Sequence, residues 1–338
     1  MAVKVGIYGF NGLSRLAIRA AWEWPEVEFV LVNDASVTPE QVAWMLKQDS
    51  SRGCWQKSIA AEEKAIRIDN TSVACTQFAK ISEIPWRKLG VDIVLVAEPW
   101  PEEVSLHALK MLLPKAILTR PVEQVLALVM GVNDHLYSPH DHSLISALSA
   151  SCHMVAPVFN VLLNGLGIKY ASFYYQPGNN TVSHHLSPQH FKHRLSYEEA
   201  SVYSQPTWLA DELLSVFPGF KHQLAASAHF LPSAKLSQVH GTFLVECKTT
   251  VAEVNSLLDK AARGRYRQLL SVSHESLWVN DLWQQPYSVS LEAAATQVVG
   301  SEMVSLTLWA DEQWMYAHRL MELVRKVGAA TTSQPVVT

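Results

Sequence analysis

The chain has 338 residues, 49% of them hydrophobic, enough to build the cores of two ordinary domains. Its net charge of −4 gives no general attraction to nucleic acid or to an anionic membrane, and no apolar run is long enough to span a bilayer. Cys54, Cys75, Cys152 and Cys247 are widely spaced and form no CxxC pair. Reduced thiols and the lack of a signal-peptide pattern predict a cytoplasmic protein.

Residues 3–8 read as a first strand. Gly9-Phe10-Asn11-Gly12-Leu13-Ser14-Arg15 follows as a turn, and a helical pattern then carries Leu16, Ile18, Ala20 and Ala21. Residues 27–34 form a second apolar run that ends in Asn33-Asp34. Strand, glycine-bearing turn, helix, strand and an acid about twenty residues on is the Rossmann order, in which the acid accepts from ribose hydroxyls. The fingerprint wants two further glycines, and Asn11 and Ser14 stand in those places. On these residues alone, a βαβ unit that binds nothing is an equal reading. Glycine is scarce throughout, with 14 in the chain where average usage would give roughly 24.

Thr38-Pro39-Glu40-Gln41 predicts a capped helix running to about Lys47. Strands are expected at residues 65–68, 73–77, 91–97, 116–119 and 127–131, with a helix over 102–113. In the second half, residues 173–176, 242–247 and 304–308 read as strands, and 251–262 and 312–327 as helices.

The order of short motifs then resembles the phosphorylating glyceraldehyde-3-phosphate dehydrogenase family, with its sibling erythrose-4-phosphate dehydrogenase. Val3-Lys4-Val5-Gly6-Ile7, Met45-Leu46-Lys47, Ile84-Pro85-Trp86 and Val129-Met130-Gly131-Val132-Asn133 carry the likeness. Val216-Phe217-Pro218, Thr296-Gln297-Val298-Val299-Gly300, Trp309, Asp311, Tyr316 and Arg319 keep the register later. The resemblance implies an α/β chain. A Rossmann domain over 1–149 would precede an α+β domain with a large, mostly antiparallel sheet over 150–311. A C-terminal helix over 312–330 would return to the first domain.

The family's chemistry needs a thiolate at a helix N-terminus and a histidine that lowers its pKa and takes its proton. Anchored without a gap on Ser146 and Ala156-Pro157, the nucleophile position falls on Ala150. A second register would put Cys152 there, but it needs two residues inserted before it and two removed after it. Those changes would turn a helix by more than half a turn. Counted from Ile168, the histidine position falls on Pro177, which has no acid–base function. No catalytic residue is therefore expected to be intact, and no metal site is expected.

By resemblance, the hydroxyl positions for substrate anions are Ser149, Ser151 and Thr207. Trp208 stands where the family has glycine, crowding the site, and Phe230 where it has a phosphate-binding arginine. Losing a guanidinium removes charged hydrogen bonds worth roughly 1.5–3 kcal/mol each. The family's cofactor contacts carry onto Gly9, Gly12, Leu13, Asn33, Asp34 and Thr119. NAD is the implied cofactor. Its binding is expected to be weak or absent, because Asn11 and Ser14 add side chains where backbone should approach the pyrophosphate and Glu98 adds repulsion, with Asp34 arguing the other way; Glu312 stands at the position of the nicotinamide-orienting asparagine.

These expectations describe a catalytically inactive relative with a structural, regulatory or ligand-binding role. The alternative is an active NAD-dependent aldehyde oxidoreductase using Cys152 on a changed substrate. Its partners would be further copies of itself, most naturally a homotetramer, or an active paralogue. The histidine-dense stretch Ser183-His184-His185-Leu186-Ser187-Pro188-Gln189-His190-Phe191-Lys192-His193 falls where the family has its S-loop, and reads as a polar interface loop rather than a metal site.

Overall fold

The computed structural model describes residues 2–49, 52–97, 104–178, 203–205, 207–230 and 235–332. Two units emerge: Met1–Leu128 with Leu136–Ala147 and Ala317–Thr338, and Val129–His135 with Leu148–Tyr316. Glu98 and the histidine-dense stretch lie outside the described residues. No described helix is long and apolar enough to cross a membrane.

In the first unit the elements are β1 (Val3–Tyr8), α1 (Gly12–Ala21), β2 (Val27–Asn33), α2 (Pro39–Lys47), β3 (Ile59–Glu62), β4 (Ala65–Ile68) and β5 (Thr71–Thr76). They continue as β6 (Ile93–Val96), α3 (Leu106–Leu112), β7 (Ala116–Leu118), β8 (Leu126–Ala127) and β9 (Leu144–Ser146). The strands form one sheet in the order β3-β4-β5-β2-β1-β6-β7-β9-β8, parallel from β5 to β8. β3 and β4 extend its edge as antiparallel ribbons. The order β5-β2-β1-β6-β7-β9 is that of a dinucleotide-binding sheet, with its switch point between β1 and β6.

Strand β6 is buried at all four residues, as its apolar run predicts for a strand covered on both faces. Its assigned range is shorter than the expected 91–97, although the Asp92 and Ala97 amides still donate to the carbonyls of Lys4 (2.8 Å) and Tyr8 (2.9 Å) on β1. Helix α2 starts as read: Thr38 caps Gln41, Gln41 answers Thr38, and Pro39 opens the helix. Helix α3 begins at Leu106 with Ser105 as its cap, later than expected. The expected strand at 127–131 is reduced to Leu126–Ala127, because Gly131 turns the chain at φ 79°. Trp86 is wholly buried against β1. Its indole donates to the Ile81 carbonyl at 3.1 Å and occupies the space a Cβ on Gly6 would need.

The second unit starts with α4 (Ala150–Leu166), β10 (Ile168–Gln176), β11 (Tyr203–Gln205), α5 (Leu209–Val216) and β12 (Leu224–Phe230). It continues with β13 (Ser237–Val245), α6 (Val251–Arg263), β14 (Leu270–Ser273), α7 (Val279–Leu282), β15 (Val289–Glu292), β16 (Gln297–Val299) and β17 (Met303–Ala310). The last helix, α8 (Glu312–Thr332), begins in this unit, and its residues from Ala317 belong to the first. The sheet order is β11-β12-β10-β13-β17-β15-β14, with β16 on β17. Only the β10–β12 and β14–β15 pairs are parallel, so the sheet is mostly antiparallel as expected.

Strand alternation explains the core. On β10, Ala171, Phe173 and Tyr175 point inward while Tyr170, Ser172 and Tyr174 are exposed. Phe173 meets Phe243 edge-on at 5.6 Å, and Phe159 of α4 packs on Phe217 at 4.7 Å and Phe220 at 5.0 Å. Each buried ring contributes about 1.5–3 kcal/mol.

Candidate functional site

In the first unit, the turn after β1 places the expected cofactor residues. Gly9 takes φ 91°, a conformation open to glycine, and its amide donates to the Asn33 carbonyl at 2.9 Å. Asn11 then caps α1. Its Oδ1 accepts from the amides of Leu13 (3.0 Å) and Ser14 (3.1 Å), and its Nδ2 donates to the Ala97 carbonyl at 2.8 Å. The Ser14 hydroxyl accepts from the Asn11 amide, closing a capping box. A helix N-terminus attracts a pyrophosphate through such free amides. Here two of them already bond to Asn11, and Gly12 opens the helix beside them.

Asp34 is similarly engaged. One carboxylate oxygen accepts from the Phe10 amide at 2.9 Å, and the other from the Ser36 amide and hydroxyl, both at 2.9 Å. Asn33 is buried, receives Thr76 and the Phe78 amide on its carbonyl, and donates to the Phe78 carbonyl. The Thr119 hydroxyl donates to the Val96 carbonyl at 3.1 Å. The chain's own polar groups thus occupy Leu13, Asn33, Asp34 and Thr119.

In the second unit, α4 carries the other candidates. Ser149 is its N-cap, Ala150 is the first helical residue, and Ser151 and Cys152 follow. The Ser149 hydroxyl accepts from the Cys152 amide at 3.4 Å and lies 2.9 Å from the Ser151 hydroxyl. It donates to Oε2 of Glu212. A hydroxyl has one proton, so Ser151 is the donor to Ser149, and the relay runs from Ser151 through Ser149 to Glu212. Thr207 is not part of this relay. Its hydroxyl accepts from the Leu209 amide at the start of α5.

Cys152 is completely buried. Burial, then the charge of Glu212, pushes its thiol well above the ordinary range. Its sulfur lies inside this unit's core rather than presented as a thiolate. His153 is also buried, with its ring 5.5 Å from Tyr316. The phenol of Tyr316 donates to the Leu148 carbonyl just ahead of the cap.

Pro177 follows β10 on its buried face. Beside it in sequence, the Gly178 amide donates to Ser237 at 2.8 Å. Ser237 donates to Glu312, and the Tyr175 phenol donates to both Glu312 oxygens at 2.7 Å. Burial raises Glu312, while the Ser237 and Tyr175 hydrogen bonds pull it back. Phe230 is buried at the end of β12. Trp208 is 67% exposed, so its ring does not crowd the hydroxyls as its position suggests. The neighbours Leu231, Pro232 and Ser233 lie outside the described residues.

Glu212 is the residue that sequence reasoning missed. It is 2% exposed, and burial raises it to about 7, with hydrogen bonding from Ser149 opposing and Asp211 and Glu312 adding to the rise. The signal was present: Leu209, Glu212 and Leu213 share the inward stripe of α5, so an acid stood at a core position. Among the described residues no group of three or more His, Cys, Asp or Glu could hold a metal ion.

Comparison with known proteins matches this arrangement. Residues 3–99 match the family described as glyceraldehyde 3-phosphate dehydrogenase, NAD binding domain, and residues 149–312 match its C-terminal domain. The chain is 35% identical to glyceraldehyde-3-phosphate dehydrogenase 3 of Nostoc sp., over 97% of this chain and 99% of that one. It is 29% identical to glyceraldehyde-3-phosphate dehydrogenase of Geobacillus stearothermophilus over 97% and 99%. It is 26% identical to glyceraldehyde-3-phosphate dehydrogenase 3 of Saccharomyces cerevisiae over 97% and 100%. With both domains matched and the relatives covered end to end, the chain belongs to the glyceraldehyde-3-phosphate dehydrogenase family.

Proposed function

We propose that this family member does not oxidise glyceraldehyde 3-phosphate and serves instead as a structural, regulatory or ligand-binding protein of the cytoplasm. One observation carries the reading. The first turn of α4 presents Ala150, while the nearest thiol, Cys152, is buried and kept protonated. A methyl group forms no thioester, and a protonated core thiol is no nucleophile. Pro177 supplies no base, and the carboxylates nearby favour a thiol over a thiolate. The test is a steady-state assay of nicotinamide reduction with glyceraldehyde 3-phosphate and phosphate. No turnover is expected. A rate near about one per second that vanishes in Cys152→Ala would establish an aldehyde oxidoreductase instead, and turnover that co-purifies with a second chain would point to an active paralogue.

NAD binding is weak or absent in this reading. Asn11 supplies the caps that a pyrophosphate would otherwise replace, and Asp34 already accepts three bonds. The residues present do not fit a tightly held dinucleotide. Titration calorimetry is the check, and micromolar affinity would overturn it.

The protein assembles with copies of itself, as a tetramer or otherwise a dimer. Supporting this, Tyr170, Leu244, Met303 and Val299 stand in one cross-strand row over β10, β13, β17 and β16. Tyr170, Met303 and Val299 are exposed at 56%, 40% and 54%. Such a row suits a self-complementary interface. Light scattering after size exclusion would decide it, and a monomer mass at micromolar concentration would end the argument.

A further inference from the structure

The start of α4 has the makings of an oxyanion pocket. It offers the positive end of a seventeen-residue helix and the hydroxyls of Ser149 and Ser151. A carboxylate already sits there, and it comes from the chain itself. Glu212 reaches in from the buried stripe of α5 and accepts a hydrogen bond from the Ser149 hydroxyl on Oε2. Its other oxygen, Oε1, is buried and has no hydrogen-bond partner among the described residues.

That unpartnered oxygen distinguishes a plug from a structural anchor. A buried acceptor left without a donor is destabilising, and buried carboxylates that support a fold normally have both oxygens satisfied. A planar carboxylate filling a space shaped for another anion would be engaged on one side only. The raised affinity of Glu212 for its proton agrees with incomplete compensation.

We propose that the Glu212 carboxylate is a built-in occupant of the oxyanion pocket at the start of α4, so that a free oxyanion enters only when this side chain is gone. Glu212 then determines specificity by exclusion. It occupies the place beside the Ser149 and Ser151 hydroxyls, holds their relay, and adds negative charge there, with the charge of Glu312 felt at the same carboxylate. The proposal rests on the reading that this site runs no phosphate-dependent oxidation.

The test uses the full chain and two probes, inorganic phosphate and acetate, against chloride at matched ionic strength. Calorimetry and thermal unfolding are recorded for wild type, Glu212→Ala and Glu212→Gln. Wild type should show no anion-specific response. Glu212→Ala should bind phosphate or acetate at least about tenfold more tightly and unfold at a higher temperature in its presence. Glu212→Gln, which keeps the volume, should behave as wild type. Equal binding by wild type and Glu212→Ala would overturn the proposal. So would a folded Glu212→Ala without any anion response, or Glu212→Gln binding as tightly as Glu212→Ala. If Glu212→Ala does not fold in chloride, refolding yield in acetate becomes the readout: recovery supports the proposal, and failure while Glu212→Gln folds overturns it. Turnover assayed on the same wild-type sample would remove the inactive reading while leaving these isotherms to decide the occupant.

Discussion

The phenol of Tyr316 donates a hydrogen bond to the carbonyl of Leu148, and Leu148 sits at φ 56°. A branched side chain in that left-handed region costs about 1–3 kcal/mol and persists only where the surroundings hold it. Leu148 is buried and immediately precedes the Ser149 cap. Tyr316 therefore holds the strained residue that delivers the chain into α4. Tyr316→Phe should keep the ring packing on His153 and lose about 1–2 kcal/mol of stability, read as a lower urea midpoint. An unchanged midpoint would show that core packing alone fixes Leu148.

Thiol accessibility separates the two registers for the nucleophile. Cys54 and Cys247 are exposed, whereas Cys75 and Cys152 are buried and their thiols raised, Cys75 to about 11. A thiol reagent at pH 8 should titrate Cys54 and Cys247 in the native protein and all four cysteines in guanidinium. Rapid native labelling of Cys152, located by peptide mapping, would contradict the buried placement.

Glu212 predicts a pH dependence of definite sign. Its proton affinity rises from an ordinary 4.5 to about 7 on folding, so the folded protein binds more protons than the unfolded chain between those values. Stability from this group is complete below about pH 4.5 and is lost as pH rises through 7, by about 3 kcal/mol at most. Glu312 is raised as well and adds a loss of the same sign. Urea unfolding at pH 5 and pH 8 should show wild type losing more stability than Glu212→Gln. Parallel pH curves for the two proteins would refute the placement of this carboxylate.

Gly131 tests a motif rather than a site. Its φ is 79°, and a Cβ there would collide with Leu269 Cδ1. Its amide also donates to Asp134, while Asn133 accepts from the Val129 amide at 2.7 Å. Gly131→Ala should cost at least about 2 kcal/mol, from strain and overpacking together. A thermal midpoint within a degree of wild type would be the failing result.

Asn11→Gly should trade stability for ligand access. Removing the cap and the bond to Ala97 should cost about 1 kcal/mol. The Leu13 and Ser14 amides would be freed toward an anion. Dinucleotide affinity should therefore rise above wild type in calorimetry, and an unchanged or lower affinity would show that Asn11 is not what limits binding.

The framework was legible where one residue type alone satisfies the geometry. Gly9 and Gly131 hold positive φ, Thr38 and Gln41 close a capping box, and Trp86 packs where Gly6 leaves room. Each leaves a local mark in sequence. Strand β10 was read as residues 173–176 but starts at Ile168, because its outer face is aromatic and masks the alternation. The burial of Glu212 was legible in the inward stripe of α5, but its bond to Ser149 and the Tyr175–Glu312–Ser237 group were not, since the partners lie 63, 137 and 75 residues away and nothing in local pattern couples them. Asp34 was read as an acid for ribose, but the pattern that marks it says nothing of the Phe10 and Ser36 donors that already occupy it.

Gly328 of α8 touches Val3 of β1 so closely that a Cβ on the glycine would lie 2.8 Å from the valine's own. Val3 precedes the whole second unit along the chain, and residues from Ala317 onward, which follow it, complete the same unit as Val3. The first unit therefore cannot finish its core as it emerges from the ribosome. Its sheet must wait, with apolar edges uncovered, until the second unit has been made and α8 arrives. Nascent chains stalled before residue 317 should need a chaperone that full-length chains do not.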